Sequence, residues 1–581
     1  MTIIVAMYIE RIPNRNSPPA VLLRESYRDN GKVKKRTLAN LSKLPPHVVS
    51  TIQKSLSPKS DKQNSVISDK SFVLGHALQY GQVEAILQTM DRLGLPRLID
   101  RKDSRDRRTV LAMIADRIMH GGSKLSTSRQ CNIETAISTL GKRMDLEDLT
   151  EYQCYQAMDW LLDKQKGIQK NLAKKHIENS DFMLYDMSSS YFEGKNCPIA
   201  KRGYSRDHRG DLPQVNYGLT CNRQGIPVAI EVFDGNTSDH NTFESAIKQA
   251  RDVFGVEEVI FVGDRGMISS KAIDEHLRDA GGLHWITALP NASLRKIINQ
   301  GPVQMTLFDD ECMAEIPHPD HSDERLVICR NPLLAEERKR KRKELLDATE
   351  RQLAKIKNRT TSRRARLKGK DAIGLAIGKV ISKHKMQKHF DIEITEDGFS
   401  YSRNEKKISE EAALDGLYAV RTDINKEQMP DREVVWNYKL LSRVERAFRS
   451  MKSIDLKIRP IHLRLEKRVR AHMFICMLAY YVEWHMREKL APILFQDEQS
   501  ELQREGSVVK PAERSENAKF KASTKRTPNE GLAVMSYRDA INTLTSVVSI
   551  EVRLTDEFSI QKTSEPAPVA KVILDLLGVK V

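Results

Sequence analysis

The sequence predicts an α/β protein built on a mixed β-sheet, and three observations carry this. First, residues 181–234 read as strands joined by tight turns. "DFMLYDMSSSYF" is one strand, and "VNYGLTCNRQGIPVAIEVFDGN" is a hairpin turning at Asn222-Arg223-Gln224-Gly225. Second, strand and helix then alternate. "NTFESAIKQARDVFG" is an amphipathic helix closed by Gly255, "EVIFVGDRGM" a buried strand, "SKAIDEHLRDAGG" a helix and "LHWITALP" a strand. Third, the order β-β-β-α-β-α-β sets hairpin-joined strands beside strands reached by crossovers, which makes the sheet mixed.

The other elements follow along the chain. At 581 residues the protein is too long for one ordinary domain. Residues 1–50 form a small β unit, in which "AVLLRESYRDNGKVKKRTLANL" is a hairpin turning at Asp29-Asn30-Gly31. Pro45-Pro46 and the Ser/Lys-rich stretch 54–70 read as a linker. From about 73 the pattern turns helical, and 71–178 reads as a helical DNA-binding domain or as a plain helical bundle. Its apolar positions are Val83, Ile86, Leu87, Met90 and Leu93, then Leu111, Ile114 and Ile118. Residues 179–290 hold the first part of the sheet core. Residues 291–430 read as an α+β insertion with the basic helix "LAEERKRKRKELLDATERQLAKI" and the basic stretch "RTTSRRARLKGK". Two helices, 431–452 and 466–490, complete the core within 431–492. Residues 493–581 are a tail, loose and polar over 496–530.

Composition narrows the function. A formal net charge of +17 and a pI near 9.3 favour a polyanionic partner, nucleic acid before anionic membrane. No window approaches the ~18 apolar residues of a membrane span, and "MFICMLAYYVEWHM", interrupted by Glu483, reads as a core helix. The seven cysteines stand singly without a disulfide pattern, which fits a reducing cytoplasm. The N-terminal "MTIIVAMYIERIPNR" reads as a strand rather than a signal peptide. Cys312, His318, His321 and Cys329 are zinc-capable types at irregular spacing. "GLAIGKV" lacks the spacing and the Ser/Thr of a phosphate-binding loop, and "FGVEEV" lacks the glycine turn of a dinucleotide site.

Three acidic residues stand out by position. Asp186 lies inside the first core strand, Asp264 ends the fourth, and Glu445 lies on the helix "EVVWNYKLLSRVERAFRSMKS" beside an apolar stripe of Leu440, Leu441, Val444, Phe448 and Met451. Tyr438, Glu445 and Lys452 recur every seven residues, nearly two turns, so they project from one side. Three converging carboxylates repel and stay ionised when a divalent cation sits among them. Two Mg²⁺ ions, with Mn²⁺ as substitute, can activate water or a 3′-hydroxyl at a phosphodiester. Tyr438 and Lys452 then hold DNA phosphates, as Arg449 and Arg265 can. Gly263 and Gly266 leave room beside Asp264 for a metal and a phosphate. The blander readings are a turn residue for Asp264, a solvated helix ion pair for Glu445 and a basic last turn for Lys452. Trp285 can stack on a flipped base or fill the core, and His240 can touch the site or merely start a helix. The basic helix 336–358 is a solvated face or, on so basic a chain, a DNA-backbone contact. Two Asp on the first and fourth strands and a Glu on a later helix are the order of an RNase H-like metal nuclease.

The motifs "YDMSSSYFEG", "VFDGNTSDHNTF", "FVGDRGM" and "YKLLSRVERAFRSMKSIDLKIRPI", with the N-terminal "LLRESYRDNGKVKKRTLANLS", resemble the DDE transposases of bacterial insertion sequences, in particular the IS-four superfamily. The resemblance covers the chain to about residue 490. The superfamily signature is Y, two residues, R, three residues, E, six residues, K. Tyr438, Glu445 and Lys452 match it, and Leu441 stands at the Arg position, with Arg443 or Arg449 as the replacement charge. The resemblance implies an RNase H-like core interrupted by an insertion, with Asp186, Asp264 and Glu445 as the catalytic, metal-binding triad. It also implies strand cleavage at inverted-repeat ends, excision through a hairpin on the element end, transfer to target DNA, and a homodimer in the synaptic complex. The location implied is the bacterial cytoplasm, at the nucleoid. The competing reading is a catalytically inactive, DNA-binding derivative acting as a repressor.

Overall fold

Runs rich in β-branched and other strand-forming residues in the first 40 positions make an antiparallel three-stranded sheet, Ile3–Ile12, Ala20–Asp29 and Lys32–Asn40. The computed structural model describes residues 3–14, 18–29, 32–56, 73–178, 181–299, 312–362, 367–498, 508–509, 513–555 and 558–581. The expected turn residues Asn30 and Gly31, linker residues 57–70, part of the basic stretch (363–366) and much of the loose segment (499–507 and 510–512) lie outside the described residues. The chain divides into two units.

The smaller unit gathers Met1–Gln88, Ser128–Leu149 and Asp539–Val581. Besides the N-terminal sheet it holds a second antiparallel sheet, in which Val73–Gln79 pairs with Val548–Thr555 and the latter with Phe558–Thr563. This corrects two sequence expectations. Helix begins at Gly81 rather than near 73, because "VLGHALQ" pairs as a strand. The chain end is no detached tail, because its strand finds a partner more than 450 residues upstream.

The larger unit comprises Thr89–Thr127 and Thr150–Arg538. Its sheet strands are β1 (Asp181–Tyr191), β2 (Gln214–Cys221), β3 (Pro227–Asp234), β4 (Val259–Val262), β5 (Leu283–Ala288), β6 (Met313–Pro317), β7 (Arg325–Arg330) and β8 (Leu417–Thr422). They line up as β6-β7-β8-β5-β4-β1-β2-β3. β1, β4 and β5 are parallel to one another and the remaining pairs antiparallel, so the sheet is mixed as expected. Helix α1 (Asp239–Lys248) continues as a π turn that stops at Gly255, whose φ of +69° favours a residue without a side chain. Helix α2 (Ser270–His276) then leads into β5.

The segment 291–430 does more than interrupt this core. β6, β7 and β8 extend the sheet beyond β5, and their inner residues Leu326, Ile328 and Ala419 share a cluster with Leu289 and Leu294. The rest has its own apolar centre. Leu346, Leu353 and Ile356 of the long helix Pro332–Thr361 pack on Ile373, Ile377, Phe390 and Phe399. The outer face of that helix is charged and laced with ion pairs such as Arg340–Glu344 and Lys341–Glu337.

The expected helix 431–452 is two helices, α3 (Asp431–Lys439) and α4 (Leu441–Arg449), followed by a π turn, Ser450–Ile454. α4 lays Val444, Ala447 and Phe448 on β1 and β2, with the Phe448 ring edge-on to Tyr217 at 5.7 Å. Helix α5 (Glu466–Leu490) carries the "MFICMLAYYVEWHM" run and is buried nearly all round, against β3 and two helices, Arg105–Met119 and Glu151–His176. Buried Glu483 is held by Arg487 and by the Ser450 hydroxyl. Among the described residues no helix is long and apolar enough to cross a membrane, and all seven cysteines are free.

Candidate active site

The register of two parallel strands positions the first two carboxylates. Leu184 of β1 pairs with Val262 of β4, so Asp186 and Asp264 each stand two residues beyond a paired position, on neighbouring strands running the same way. Glu445 is exposed on α4, the helix whose apolar stripe packs on β1. Tyr438 approaches from α3. Burial, followed by the charges of Asp264, Asp186 and Glu445, pushes its phenol up to about 12, so one side chain senses all three acids.

These carboxylates are little compensated. Asp186 Oδ1 accepts the Met187 N–H at 2.7 Å, and Asp264 Oδ1 accepts those of Gly266 and Met267 at 2.9 and 3.0 Å. Among the described residues Glu445 makes no hydrogen bond or ion pair. Burial first and the Asp264 charge second push the Asp186 carboxyl up to about 7, with Glu445 adding to this, while the Met187 N–H and Arg206 oppose it. Hard oxygen donors set around a carboxyl held in excess negative charge, as at Asp186, suit a divalent ion such as Mg²⁺. The tightest His/Cys/Asp/Glu group among the described residues is a different one: the ligand atoms of His321, Asp323 and Glu324 all lie within 4.8 Å of one another. The triad is thus spread more widely than that. The tighter group is already neutralised, since Arg278 binds both Asp323 and Glu324, and Arg421 binds Glu324. Neither Cys312 nor Cys329 joins it, so the zinc-capable residues form no common site there.

Other candidates from the sequence separate. Lys452, expected on one side with Tyr438 and Glu445, lies in the π turn, nearly buried, with Nζ 2.9 Å from Asp207. The change of helical pitch turns it away, and Arg459 binds the same Asp207. Arg443 donates to the Arg223 carbonyl of the β2–β3 turn. Arg449 is exposed on α4. Arg265 is exposed, reaches Asn291 at 3.5 Å and lowers the Tyr438 phenol, so it borders the acids. Trp285 is 2% exposed inside β5 and is a core residue, not a surface for a base. His240 turns toward Ser269 and Glu275. Gly266 does make room: a Cβ there would sit 3.2 Å from Asp264 Oδ1. Gly263 does not, because the Ile268 side chain fills the space a Cβ would take, at 2.9 Å.

Two further residues belong to this site. Arg206, in the β1–β2 loop, donates its N–H to Ser189 and binds Asp239 at 2.6 Å. It is the arginine whose charge opposes the rise at Asp186. Asp239, the first residue of α1, faces the same Gly266 position as Asp264, 3.4 Å from where a Cβ would be. The legible signal was the charge-dense loop "SRDHRG" between two buried strands.

The family model described as Transposase DDE domain matches residues 194–482, which enclose Asp264 and Glu445 and begin just past Asp186. The IS1634 family transposase N-terminal domain matches residues 9–64. No curated protein matches the chain. Among solved structures the chain is similar to one described as a cryo-EM structure of the piggyBac transposase synaptic complex with hairpin DNA, at 8% identity and a TM-score of 0.32, over 70% of this chain and 72% of that one. Two transposase family models, one over residues 9–64 at the N-terminal sheet and one over residues 194–482 of the core, place this chain in the DDE transposases of insertion sequences, and its function is that of a DNA transposase.

Proposed function

We propose that the chain cuts DNA at the inverted-repeat ends of its own element and joins the freed 3′-hydroxyls to target DNA. The core is then RNase H-like, with Asp186, Asp264 and Glu445 as the metal-binding catalytic residues. The observation that carries this is the parallel register that sets Asp186 beside Asp264 under Glu445, with too few cations to balance them. Mg²⁺, or Mn²⁺ in its place, supplies Lewis-acid activation of water or hydroxyl and charge stabilisation at the phosphodiester. The chain's own part is positional. Met187, Gly266 and Met267 N–H groups fix the two aspartates, and the α4 stripe fixes Glu445. Tyr438, Arg265 and Arg449 border the site as contacts to DNA phosphates.

The finer reading is the IS-four superfamily, a homodimer in the synaptic complex, and action at the nucleoid in the cytoplasm. Arg206 carries the charge that the superfamily signature places at 441, because it is the arginine acting on Asp186. The test is cleavage of an end-bearing duplex with Mg²⁺. Activity that survives Asp264→Ala would sink the triad. Retarded but uncut DNA in both Mg²⁺ and Mn²⁺ would favour the inactive, repressor-like derivative.

A further inference from the structure

A cavity of about 350 Å³ in the larger unit is lined by Arg117, Lys124, Lys457, Arg459, His462 and His472, together with Ser123 and neighbouring backbone, and no carboxylate lines it. Most of its charges are committed. Arg117 donates to the carbonyls of Gly121, Gly122, Leu456 and Lys457. Arg459 binds Asp207. Lys124 differs. Its side chain is buried, 5% exposed, and among the described residues its one hydrogen bond is to His472 Nδ1 at 3.3 Å.

His472 cannot share the charge. Its Nε2 donates to the Ile458 carbonyl at 3.1 Å, so Nδ1 is the acceptor and the ring is neutral. Burial, then the charges of Lys124 and Arg117, hold it well below the ordinary histidine range. The Lys124 ammonium therefore has one acceptor for three donors. A buried ammonium short of acceptors is costly, and burial first, then Arg117, lowers this lysine to about 8. Lys124 also opens the helix Lys124–Cys131, and Gly121, Gly122 and Ser123 just before it line the same cavity. The missing partner is an anion with several acceptor oxygens.

We infer that the cavity receives one backbone phosphate of the bound DNA duplex, held by Lys124 and flanked by Lys457. Its position favours DNA over a free anion. Ile461, on the cavity wall, pairs with Phe192, which directly follows β1, the strand that carries Asp186. Six residues of extended chain separate Asp186 from Phe192, roughly 20 Å, a distance a duplex backbone spans within one turn. This inference rests on duplex DNA being the substrate.

The test is fluorescence anisotropy of the full-length protein on an end-bearing duplex in EDTA over a series of salt concentrations. The variants are Lys124→Met and Lys124→Arg, each with its melting midpoint. Lys124→Met should bind about tenfold more weakly and lose about one from the slope of log affinity against log salt. Its midpoint should be unchanged or raised, and Lys124→Arg should restore the slope. Equal affinity and slope in wild type and Lys124→Met would overturn the inference, as would weaker binding with an unchanged slope and a lowered midpoint. Inorganic phosphate provides the second arm. If it raises the wild-type midpoint but not that of Lys124→Met while the DNA slope stays the same, the site takes free phosphate instead. Absence of any duplex binding by wild type would overturn the DNA reading itself, whereas loss confined to the Lys124 comparison overturns only the cavity.

Discussion

Two acidic clusters in the larger unit are built from the same residue types and behave in opposite ways. At one, Glu324 and Asp323 meet Arg278 and Arg421, and Arg421 also donates to the Ser270 hydroxyl at 2.7 Å. At the other, Asp186, Asp264 and Glu445 meet chiefly one another, and Asp186 is driven up to about 7. Where the chain supplies its own guanidinium groups, carboxylates cross-link strands β7 and β8 to α2. Where it withholds them, the carboxylates stand open, and they are the ones proposed above to take a cation from solution. The tighter cluster is therefore the structural one, and closeness alone is a poor guide to a metal site.

The largest expected effect breaks the open cluster. Asp264→Ala or Asp186→Asn should lower strand cleavage by three decades or more, since charge stabilisation of this kind contributes several kcal/mol at 1.36 kcal/mol per decade. Single-turnover cleavage of an end-bearing duplex measures it, with duplex binding retained. Breaking the closed cluster comes next. Arg421→Met leaves Glu324 buried with one partner fewer and should cost about 3–5 kcal/mol of stability, read by denaturant unfolding; a change near zero would mean that Arg278 suffices.

Metal and pH sharpen the contrast. Mg²⁺ at a hundred times its dissociation constant should stabilise the wild type by about 2.7 kcal/mol, and should not stabilise Asp186→Asn. The folded Asp186 carboxyl sits above its unfolded value, so its contribution to metal-free stability is full at low pH and is lost as pH rises through about 7. Mg²⁺ binding runs the other way and should weaken as pH falls below about 7. Melting midpoints at pH 5.5 and 8, with and without Mg²⁺, test both signs. The smallest effect concerns neither cluster. Trp285→Phe should cost about 1–2 kcal/mol through lost packing and leave DNA affinity unchanged by anisotropy, as befits a core residue.

Much of this architecture was legible because its causes are local. The run Val259–Val262, the turn at Asn222–Gly225 and the stop at Gly255 each act through neighbours a few residues away, so strand, hairpin and helix end could be read directly. So could the burial of the Val444 and Phe448 stripe. The strand Val73–Gln79 was not legible, because its partner is Val548–Thr555. Nor was the seating of Lys452, because a π turn after Arg449 changed the helical pitch on which the seven-residue spacing relied.

By itself the sequence determined the element order of the first core segment, the polyanionic bias of a +17 chain, and which carboxylates end buried strands. Only the tertiary structure decided which charges meet. Arg206 with Asp239, Lys452 and Arg459 with Asp207, and Arg421 with Glu324 are pairings across 33 to 252 residues. The fate of each charge depends on the partner that folding brings to it and on how much water is excluded there. Sequence spacing encodes neither quantity, and for that reason the same residue types became an arginine-locked brace in one place and an open acidic site in another.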